Sequence, residues 1–406
     1  MKTARLLLFC STLFFGLAIF NACQQDVNPS TGETEFYLPT PYEFPDMDYF
    51  PRNLNIPSDN PMTVEGVKLG RYLFYDGRLS GRTHPDSLMS CSSCHNQEKG
   101  FDFAPVEADQ VYPKGLPSAT YPEGKQTSHT GMALVNLVYN HKGYLWNGFV
   151  HEDNELLGSS SYQVPADSSF HYQNIESLVW MSIAAPHEMN GSIEQTVKTI
   201  AGIDSYKPMF RDAFGSEEVN IDRISKAIAQ FVRSIVSYRS KFHQYMREEA
   251  ELTALETRGM ELFFSEEGDC FHCHGGSVLM TTNLFYNNAK DKSFFDSKDR
   301  FAITADVKDK GAYRAPSLIN AAVRSPYMHD GRYTSLDEVI DFYSDGLVDT
   351  QNAHPLMKQV KRGGVRLNKD DKVALKAFVL SLTDYDLLSD PQYSRPEDLR
   401  DGSKSN

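Results

Sequence analysis

Apolar residues recur at intervals of three and four along much of this chain, and stretches that alternate at a period of two are nearly absent. The strongest helical pattern covers residues 221–238, and Asn220 stands where it can cap the N-terminus. A shorter pattern begins near Val64 and stops before Asp76. The predicted fold class is therefore mostly α, with long loops. Further helices are predicted near residues 193–202, 252–264, 335–343 and 370–382.

The N-terminus has the pattern of a secretion signal. Basic residues precede an apolar run over residues 6–20, which is shorter than the roughly 20 residues that a membrane-spanning helix needs. Ala22-Cys23 resembles a lipoprotein processing site. We expect residues 1–22 to be removed as a signal peptide and Cys23 to carry a lipid; ordinary cleavage, which leaves a free Cys23, is the alternative. The lipid would anchor a periplasmic or outer-membrane lipoprotein of the cell envelope without spanning the membrane.

Composition places further bounds on the chain. Residues 23–60 are rich in proline and predict an extended tether, and residues 386–406 predict a polar tail. The 406 residues leave room for two domains. A formal charge of -14 and a pI of about 5.3 argue against nucleic acid and against an anionic membrane surface as partners. An acidic surface suits a basic redox partner, but it also serves simple solubility.

One five-residue motif occurs twice, as Cys91-Ser-Ser-Cys-His95 and Cys270-Phe-His-Cys-His274. Cys-x-x-Cys-His is the attachment signature of c-type haem. The thiols would form thioethers with the haem vinyl groups, and each histidine would ligate an iron. A zinc site made of the four thiols, or a pair of disulfides, would leave both histidines without a role. We therefore predict two covalently bound haem c groups, attached through Cys91, Cys94, His95, Cys270, Cys273 and His274.

The segments that precede the two motifs are also alike. Gly70-Arg-Tyr-Leu-Phe74 stands before the first, and Gly259-Met-Glu-Leu-Phe263 stands before the second. In both, a predicted helix that carries Leu and Phe leads into the haem motif. This repetition predicts two cytochrome c-like haem domains, at residues 61–245 and 246–385, with the boundary in the charged stretch after residue 245.

Beyond the haem motifs, the chain resembles the bacterial dihaem cytochrome c peroxidases, and within them the branch that includes MauG. The resemblance covers most of residues 64–385. Any one of its motifs is weak alone, but the set is specific because all occur in the family's order. They are Leu69-Gly-Arg-Tyr-Leu-Phe-Tyr-Asp-Gly-Arg-Leu-Ser80, Leu134-Val-Asn136, Leu145-Trp-Asn-Gly148, Pro186-His-Glu-Met189, Tyr313-Arg-Ala-Pro-Ser-Leu-Ile-Asn320, Ser325-Pro-Tyr-Met-His-Asp-Gly331 and Ser335-Leu-Asp-Glu-Val-Ile-Asp-Phe-Tyr343.

The resemblance implies roles for residues around the first haem. Glu188 matches the distal glutamate that moves a proton while the O–O bond breaks, although a solvated or capping glutamate is the alternative. Trp146 matches the tryptophan between the haems, as a relay or as a packing residue. Many relatives close the first haem with a distal His, but no His stands at the equivalent place near Pro122, so this haem is expected to be open to peroxide. His129 is the nearest candidate, as a pocket residue or an ordinary loop histidine.

The resemblance also implies a ligand for the second haem opposite His274. Counting from Leu336, the position that holds Met in the peroxidases holds Tyr343, and MauG-type enzymes place a Tyr ligand there. Tyrosinate stabilises oxidised iron, whereas Met favours the reduced state. A core tyrosine on an amphipathic helix is the alternative, with Met328 and Met357 as fallback ligands. The family often binds calcium between its domains, but the matching positions here are Thr130 and Arg324, so calcium is possible rather than expected.

The family implies an oxidoreductase that reduces hydrogen peroxide to water with electrons from a small donor protein such as a cytochrome c. Tyr343 favours an alternative, the MauG-like oxidation of tryptophan or tyrosine side chains on a partner protein. A dihaem electron carrier without turnover is the third hypothesis. A homodimer is one possible assembly, and the membrane is an expected partner only through the N-terminal lipid.

Overall fold

The computed structural model describes residues 25–27, 34–81, 88–103, 129–149, 174–185, 188–276, 278–294 and 298–400. Most regular structure within these ranges is helical, which confirms the predicted mostly α class. The signal peptide and Cys23 lie outside the described residues, as do the loop around Pro122 and residues 401–406. No helix in the described ranges has the length and hydrophobicity of a membrane span.

The chain divides into a unit of residues 1–38 and a unit of residues 39–406. In the first, strands β1 (Gln25–Val27) and β2 (Thr34–Phe36) pair antiparallel. The second unit holds all the helices that the structure describes. They are α1 (Val64–Tyr75), α2 (Ile175–Ala184), α3 (Ile193–Ala201), α4 (Tyr206–Phe214), α5 (Ile221–Ser234), α6 (Lys241–Met246), α7 (Ala254–Phe263), α8 (Phe271–His274), α9 (Phe301–Thr304), α10 (Leu336–Asp345) and α11 (Lys369–Ser381).

Short strands and 3-10 turns complete the second unit. The strands form two antiparallel pairs, β3 (His95–Asn96) with β4 (Asp102–Phe103), and β5 (Phe285–Tyr286) with β6 (Tyr313–Arg314). The 3-10 turns are Gly77–Ser80, Cys91–Ser93, Gln97–Lys99, Leu137–Tyr139, Val307–Asp309, Ala321–Val323, Val360–Arg362 and Leu387–Ser389.

The strongest predicted helix is present as α5, but it ends earlier than its apolar pattern. Asn220 caps it as predicted, because its side-chain oxygen accepts the backbone N–H of Arg223 at 2.9 Å. The helix stops at Ser234 rather than near residue 238. The fully buried carboxylate of Asp384 accepts the backbone N–H groups of Tyr238 and Arg239, each at 3.0 Å. A residue far along the chain therefore accepts the hydrogen bonds of two backbone N–H groups that a longer α5 would have bonded within the helix.

The buried apolar side chains form two main cores. The larger is built around α1, α2 and α5, and Cys91 and Cys94 pack against it. The other is built around α7, α10 and α11, and Cys270 and Phe271 pack against it. Each haem motif thus has its own apolar core. The chain passes from the larger core to the other between Ile235 and Phe242, and it returns to the larger core at Leu387. The domain bounds predicted from the sequence, 61–245 and 246–385, stay a prediction.

The two cores repeat one helix crossing, and a glycine makes each crossing possible. A Cβ on Gly70 of α1 would overlap the backbone carbonyl of Ala227 on α5. A Cβ on Gly259 of α7 would overlap the carbonyl of Ala374 on α11 in the same way. Both glycines occupy the first position of the Gly-x-x-Leu-Phe segments that the sequence repeats. The repeat therefore encodes a close contact between two helices.

Gly70→Ala or Gly259→Ala is expected to lower the free energy of unfolding by about 3 kcal/mol, since a backbone carbonyl can move aside only if the helices separate. Chemical denaturation followed by circular dichroism measures the change. Gly202→Ala is the matched control, because its new Cβ would lie 3.4 Å from the nearest carbonyl oxygens, an ordinary contact. If Gly70→Ala and Gly259→Ala have the same free energy of unfolding as Gly202→Ala, the close helix contacts described above are wrong.

Parts of the predicted tether and of the predicted polar tail pack against the apolar clusters of the second unit. Phe50, in the proposed 23–60 tether, is 5 % exposed and belongs to an apolar cluster with Val138 and Val236. In the proposed 386–406 tail, Leu387 and Tyr393 are buried in the larger core. The structure thus places residues 39–60 and 386–400 inside the compact unit. Scattered aromatic and aliphatic anchors hold them, and proline content and polarity alone do not reveal such anchors.

Candidate haem centres

The first haem motif lies in a 3-10 turn, Cys91–Ser93, which Ser90 and Ser93 close through reciprocal hydrogen bonds. The last residue of the motif, His95, begins β3, and its Nδ1 lies 3.0 Å from the carbonyl oxygen of Phe101. An Nδ1–H that donates to this carbonyl leaves Nε2 with its lone pair free to bind a metal. Burial lowers the pKa of His95 to about 4, so the ring is neutral at physiological pH.

The second haem motif repeats this arrangement on a different element. Its last four residues form the single helical turn α8, which Cys270 precedes, and Nδ1 of His274 lies 3.0 Å from the carbonyl oxygen of Pro316. Burial again lowers the pKa of His274 to about 4. Both predicted proximal histidines are therefore held by a backbone carbonyl in the tautomer that suits metal ligation.

The residues around the motifs fit a haem. All four motif cysteines are free thiols, so none is committed to a disulfide. Arg314 is 4 % exposed, and its Nε and Nη2 have no hydrogen-bond partner among the described residues. Burial lowers the pKa of Arg314 to about 10, as expected for a cation that lacks a partner. A carboxylate is the group that such a cation requires, and haem carries two propionates.

Glu188 lies beside the first haem motif. It follows α2, in a turn where its backbone N–H donates to Ala185 at 3.0 Å and the buried Met189 anchors the next position. Burial raises the pKa of the Cys91 and Cys94 thiols to about 12, and the negative charge of Glu188 contributes to both shifts. The carboxylate is thus close to both thiols, although α2 itself was not among the helices predicted from the sequence.

Tyr343 lies beside the second haem motif on α10. Burial raises its pKa, the hydrogen bond from Asn288 opposes that shift, and the charges of Cys273 and Cys270 add to it. The Nδ2 of Asn288 lies 3.2 Å from the Tyr343 hydroxyl oxygen. A phenolate in this place would require a positive charge close to its oxygen.

The two fallback ligands lie in the same apolar cluster as Tyr343. Met328 and Met357 both pack there, against Phe342 and Val360. The structure therefore brings all three candidates for the second axial position together. The sequence favours Tyr343 through its register with Leu336 and the preceding Pro-Tyr-Met-His-Asp-Gly motif, and it does not identify Asn288.

Trp146 joins segments from both halves of the chain, the first half being the one that carries the first haem motif and the second half the one that carries the second. Its indole Nε1 donates to the carbonyl of Thr130 at 2.9 Å, and its own carbonyl accepts the backbone N–H of Arg314 at 2.7 Å. Its ring lies edge-on to His329, 6.3 Å between centroids. His329 in turn stacks on Tyr313 at 3.6 Å. Trp146 thus lies in an aromatic cluster at the contact between the halves.

His129 belongs to this cluster as well. Its ring lies 5.6 Å from that of Tyr313 and 5.3 Å from that of His329, both of which come from the second half of the chain. The described contacts therefore place His129 with Trp146 and the second-half residues. Its suggested role in the distal pocket of the first haem stays a prediction.

The two positions that match the family's calcium ligands, Thr130 and Arg324, already contact other residues. Thr130 donates its hydroxyl to the carbonyl of Met328 at 3.1 Å. Arg324 puts a guanidinium where an oxygen ligand would be required, and it is paired with Asp102 at 3.6 Å. A positive charge at the site repels a divalent cation.

Sequence reasoning missed the groups that orient the haem ligands. The carbonyls of Phe101 and Pro316 carry no side-chain signal, because any residue can supply a carbonyl. Pro316 does lie inside one of the recognised motifs, Tyr313-Arg-Ala-Pro-Ser-Leu-Ile-Asn320, which could have drawn attention to it. The pair of Asp102 and Arg324 joins residues more than two hundred positions apart, so only the fold reveals it.

Known proteins with related sequences cover most of this chain. A profile of the di-haem cytochrome c peroxidase family matches residues 64–251. The methylamine utilization protein MauG of Methylorubrum extorquens is 30% identical over 298 residues, which cover 73% of each chain. The cytochrome-c peroxidase IdrP1 of a Pseudomonas species (strain SCT) is 29% identical and covers 83% of this chain and 86% of its own.

Solved structures resemble the chain over most of its length. A MauG-like protein associated with microbial copper homeostasis has a TM-score of 0.71 and 30% identity, and the match covers 87% of this chain and 99% of that one. The diheme peroxidase BthA of Burkholderia thailandensis has a TM-score of 0.62 at 18% identity, covering 84% of this chain and 90% of its own. The latter likeness concerns the fold alone.

Proposed function

Because the chain belongs to the di-haem cytochrome c peroxidase family, we propose that it reduces hydrogen peroxide to water with electrons from a small donor protein such as a cytochrome c. Two electrons and two protons convert one peroxide into two waters. Haem iron, when bound, supplies the redox chemistry. The protein has to hold the haems, admit peroxide, move protons and connect the two redox sites.

Each haem would be attached by its own pair of thiols, Cys91 with Cys94 and Cys270 with Cys273. Each thioether forms when a thiol adds across a vinyl group, with the thiol hydrogen going to the vinyl carbon. His95 and His274 would be the proximal ligands, since each holds its Nδ1 against a carbonyl. The same bond increases the basicity of Nε2, which favours the oxidised metal.

The position of Glu188 is the observation that carries the proposal. Its carboxylate lies near Cys91 and Cys94, the thiols that would attach the first haem. Breaking the O–O bond requires a proton to move from the inner oxygen to the outer, departing oxygen. A carboxylate held by a fixed turn can accept the first proton and return it to the second oxygen. Glu188 is therefore proposed as the general acid–base.

Trp146 is proposed to connect the two haem sites electronically. Its indole and its backbone bind segments of both halves, so the ring keeps a fixed position at their contact. A large ring that can be oxidised is suited to pass charge over a gap that direct transfer crosses slowly. Electrons from the donor protein would enter at the second haem and reach the first through this region.

A steady-state assay with hydrogen peroxide and a reduced cytochrome c tests the proposal. We expect sustained oxidation of the cytochrome with two equivalents consumed per peroxide. Protein prepared without haem is the control, and it should be inactive. If the haem-loaded protein neither consumes peroxide nor shows a high-spin ferric band, the chain is an electron carrier and the proposal is wrong.

A second candidate function is the oxidation of tryptophan or tyrosine side chains on a partner protein. The observation that favours it is Tyr343, placed beside Cys270 and Cys273 where the simple peroxidases carry methionine. The similarity to MauG and to the MauG-like structure points in the same direction. Peroxide consumption without cytochrome oxidation, together with a mass change on a co-purifying protein, would favour this function over the first.

The remaining expectations stay predictions. They are the lipid on Cys23, the location in the cell envelope and the homodimer. Calcium at Thr130 and Arg324 is not proposed, because a guanidinium occupies the position of an oxygen ligand.

A further inference from the structure

The loops that orient the two proximal histidines lie against each other. His95 is held by the carbonyl of Phe101, and the next residue along the chain is Asp102. His274 is held by the carbonyl of Pro316, and the next residue is Ser317. Asp102 and Ser317 therefore occupy corresponding places in the two loops. Each directly follows the residue whose carbonyl holds a histidine ring.

One side chain contacts both of these places. The Nη2 of Arg324 donates to the carbonyl oxygen of Ser317, and its Nε lies 3.6 Å from the Asp102 carboxylate. The side chains of Arg324 and Asp102 are only 8% and 14% exposed. The Nε of Arg324 makes no hydrogen bond with a described residue, so its attraction to Asp102 is electrostatic, and it is weakly screened because water has little access to the pair.

Backbone packing brings the same two loops together a second time. Gly100, one residue before Phe101, lies so close to Asn320 that an added Cβ would be 3.0 Å from the Asn320 Cβ. Asn320 is itself fixed, since its side-chain oxygen accepts the backbone N–H of Asp384 at 2.8 Å. The contact between the loops is thus tight on both sides of Phe101.

We propose that Arg324 is a positioning residue that couples the two haem sites mechanically and electrostatically, by tying Asp102 to the Ser317 carbonyl. A change in the bond between His274 and its metal would move Pro316 and Ser317, and Arg324 would transmit this movement to Asp102 and the Phe101 carbonyl. The inference rests on the proposed haem ligation by His95 and His274. It does not depend on peroxide turnover.

A redox titration of the haem-loaded protein tests the coupling without any substrate. Fitting it to two interacting sites gives an interaction factor, the fold by which reduction of one haem changes the equilibrium constant for reducing the other. We expect a factor on the order of fivefold or more in the native protein. Arg324→Met and Asp102→Asn should each lower it several-fold, and the double variant should lower it no further because each single change already breaks the bridge.

Two controls separate coupling from stability. Arg324→Lys keeps a positive charge beside Asp102 and should restore part of the factor. Lys241→Met breaks a partly buried pair with Glu256, at 2.6 Å, whose other side-chain partner is Thr253 rather than a residue of either histidine loop; it should leave the factor unchanged. A native factor near one, or an unchanged factor in both Arg324→Met and Asp102→Asn, would overturn the inference. If Arg324→Met fails to bind haem, Asp102→Asn alone decides, since it removes only a charge.

Discussion

Glu188→Gln is expected to slow peroxide reduction by about 10²–10⁴-fold, because an amide cannot carry the proton from one peroxide oxygen to the other. Glutamine keeps the size of the side chain, so the turn after α2 should persist. Stopped-flow absorption of the haem-loaded protein mixed with hydrogen peroxide measures the rate directly. The variant should retain the native haem content, because Glu188 contributes to neither thioether nor to either proximal histidine.

Glu194→Gln is the matched control for this variant. Glu194 is an exposed residue in the first turn of α3, only six positions away along the chain. It should react with peroxide at the native rate. If Glu188→Gln also reacts within a few-fold of that rate, the acid–base role passes to another group and the assignment of Glu188 is wrong.

Tyr343→Met is expected to raise the reduction potential of the second haem by on the order of 0.1–0.5 V, within the roughly 0.8 V that axial ligands span. The physical reason is charge. A phenolate stabilises ferric iron, whereas a neutral thioether stabilises the ferrous state. Spectroelectrochemical titration of the haem absorption bands measures the shift, and loss of the tyrosinate-to-iron charge-transfer band should accompany it.

Tyr333→Met is the control, because Tyr333 packs in the same apolar cluster with its ring 5.7 Å from that of Phe342. It should change the potential little. Equal shifts in both variants would point to polarity of the cluster rather than ligation. An unchanged spectrum in Tyr343→Met would leave Met328 and Met357, which lie in the same cluster, as the ligands to test.

Features that depend on local spacing were predictable. The Cys-x-x-Cys-His motifs, the Asn220 cap and the repeated Gly-x-x-Leu-Phe segments each need only a few adjacent residues, and the structure shows the cap and the crossings in place. The early end of α5 was not predictable, because the acceptor for the backbone N–H groups of Tyr238 and Arg239 is Asp384, which lies far away in the sequence. The packing of residues 39–60 was missed for the same reason, since it depends on a distant surface that accepts Phe50.

The amino-acid sequence alone determined the chemistry of attachment: two pairs of thiols, two following histidines, and the order of motifs that identifies the family. These are covalent and local properties, which a linear pattern preserves. Only the tertiary structure decided how that chemistry is controlled. It oriented both histidines through the carbonyls of Phe101 and Pro316. It also brought Glu188 to one thiol pair and Tyr343 to the other, and it placed Arg324 against both histidine loops. Burial and long-range packing set these relations, and neither is written in the spacing of residues along a chain.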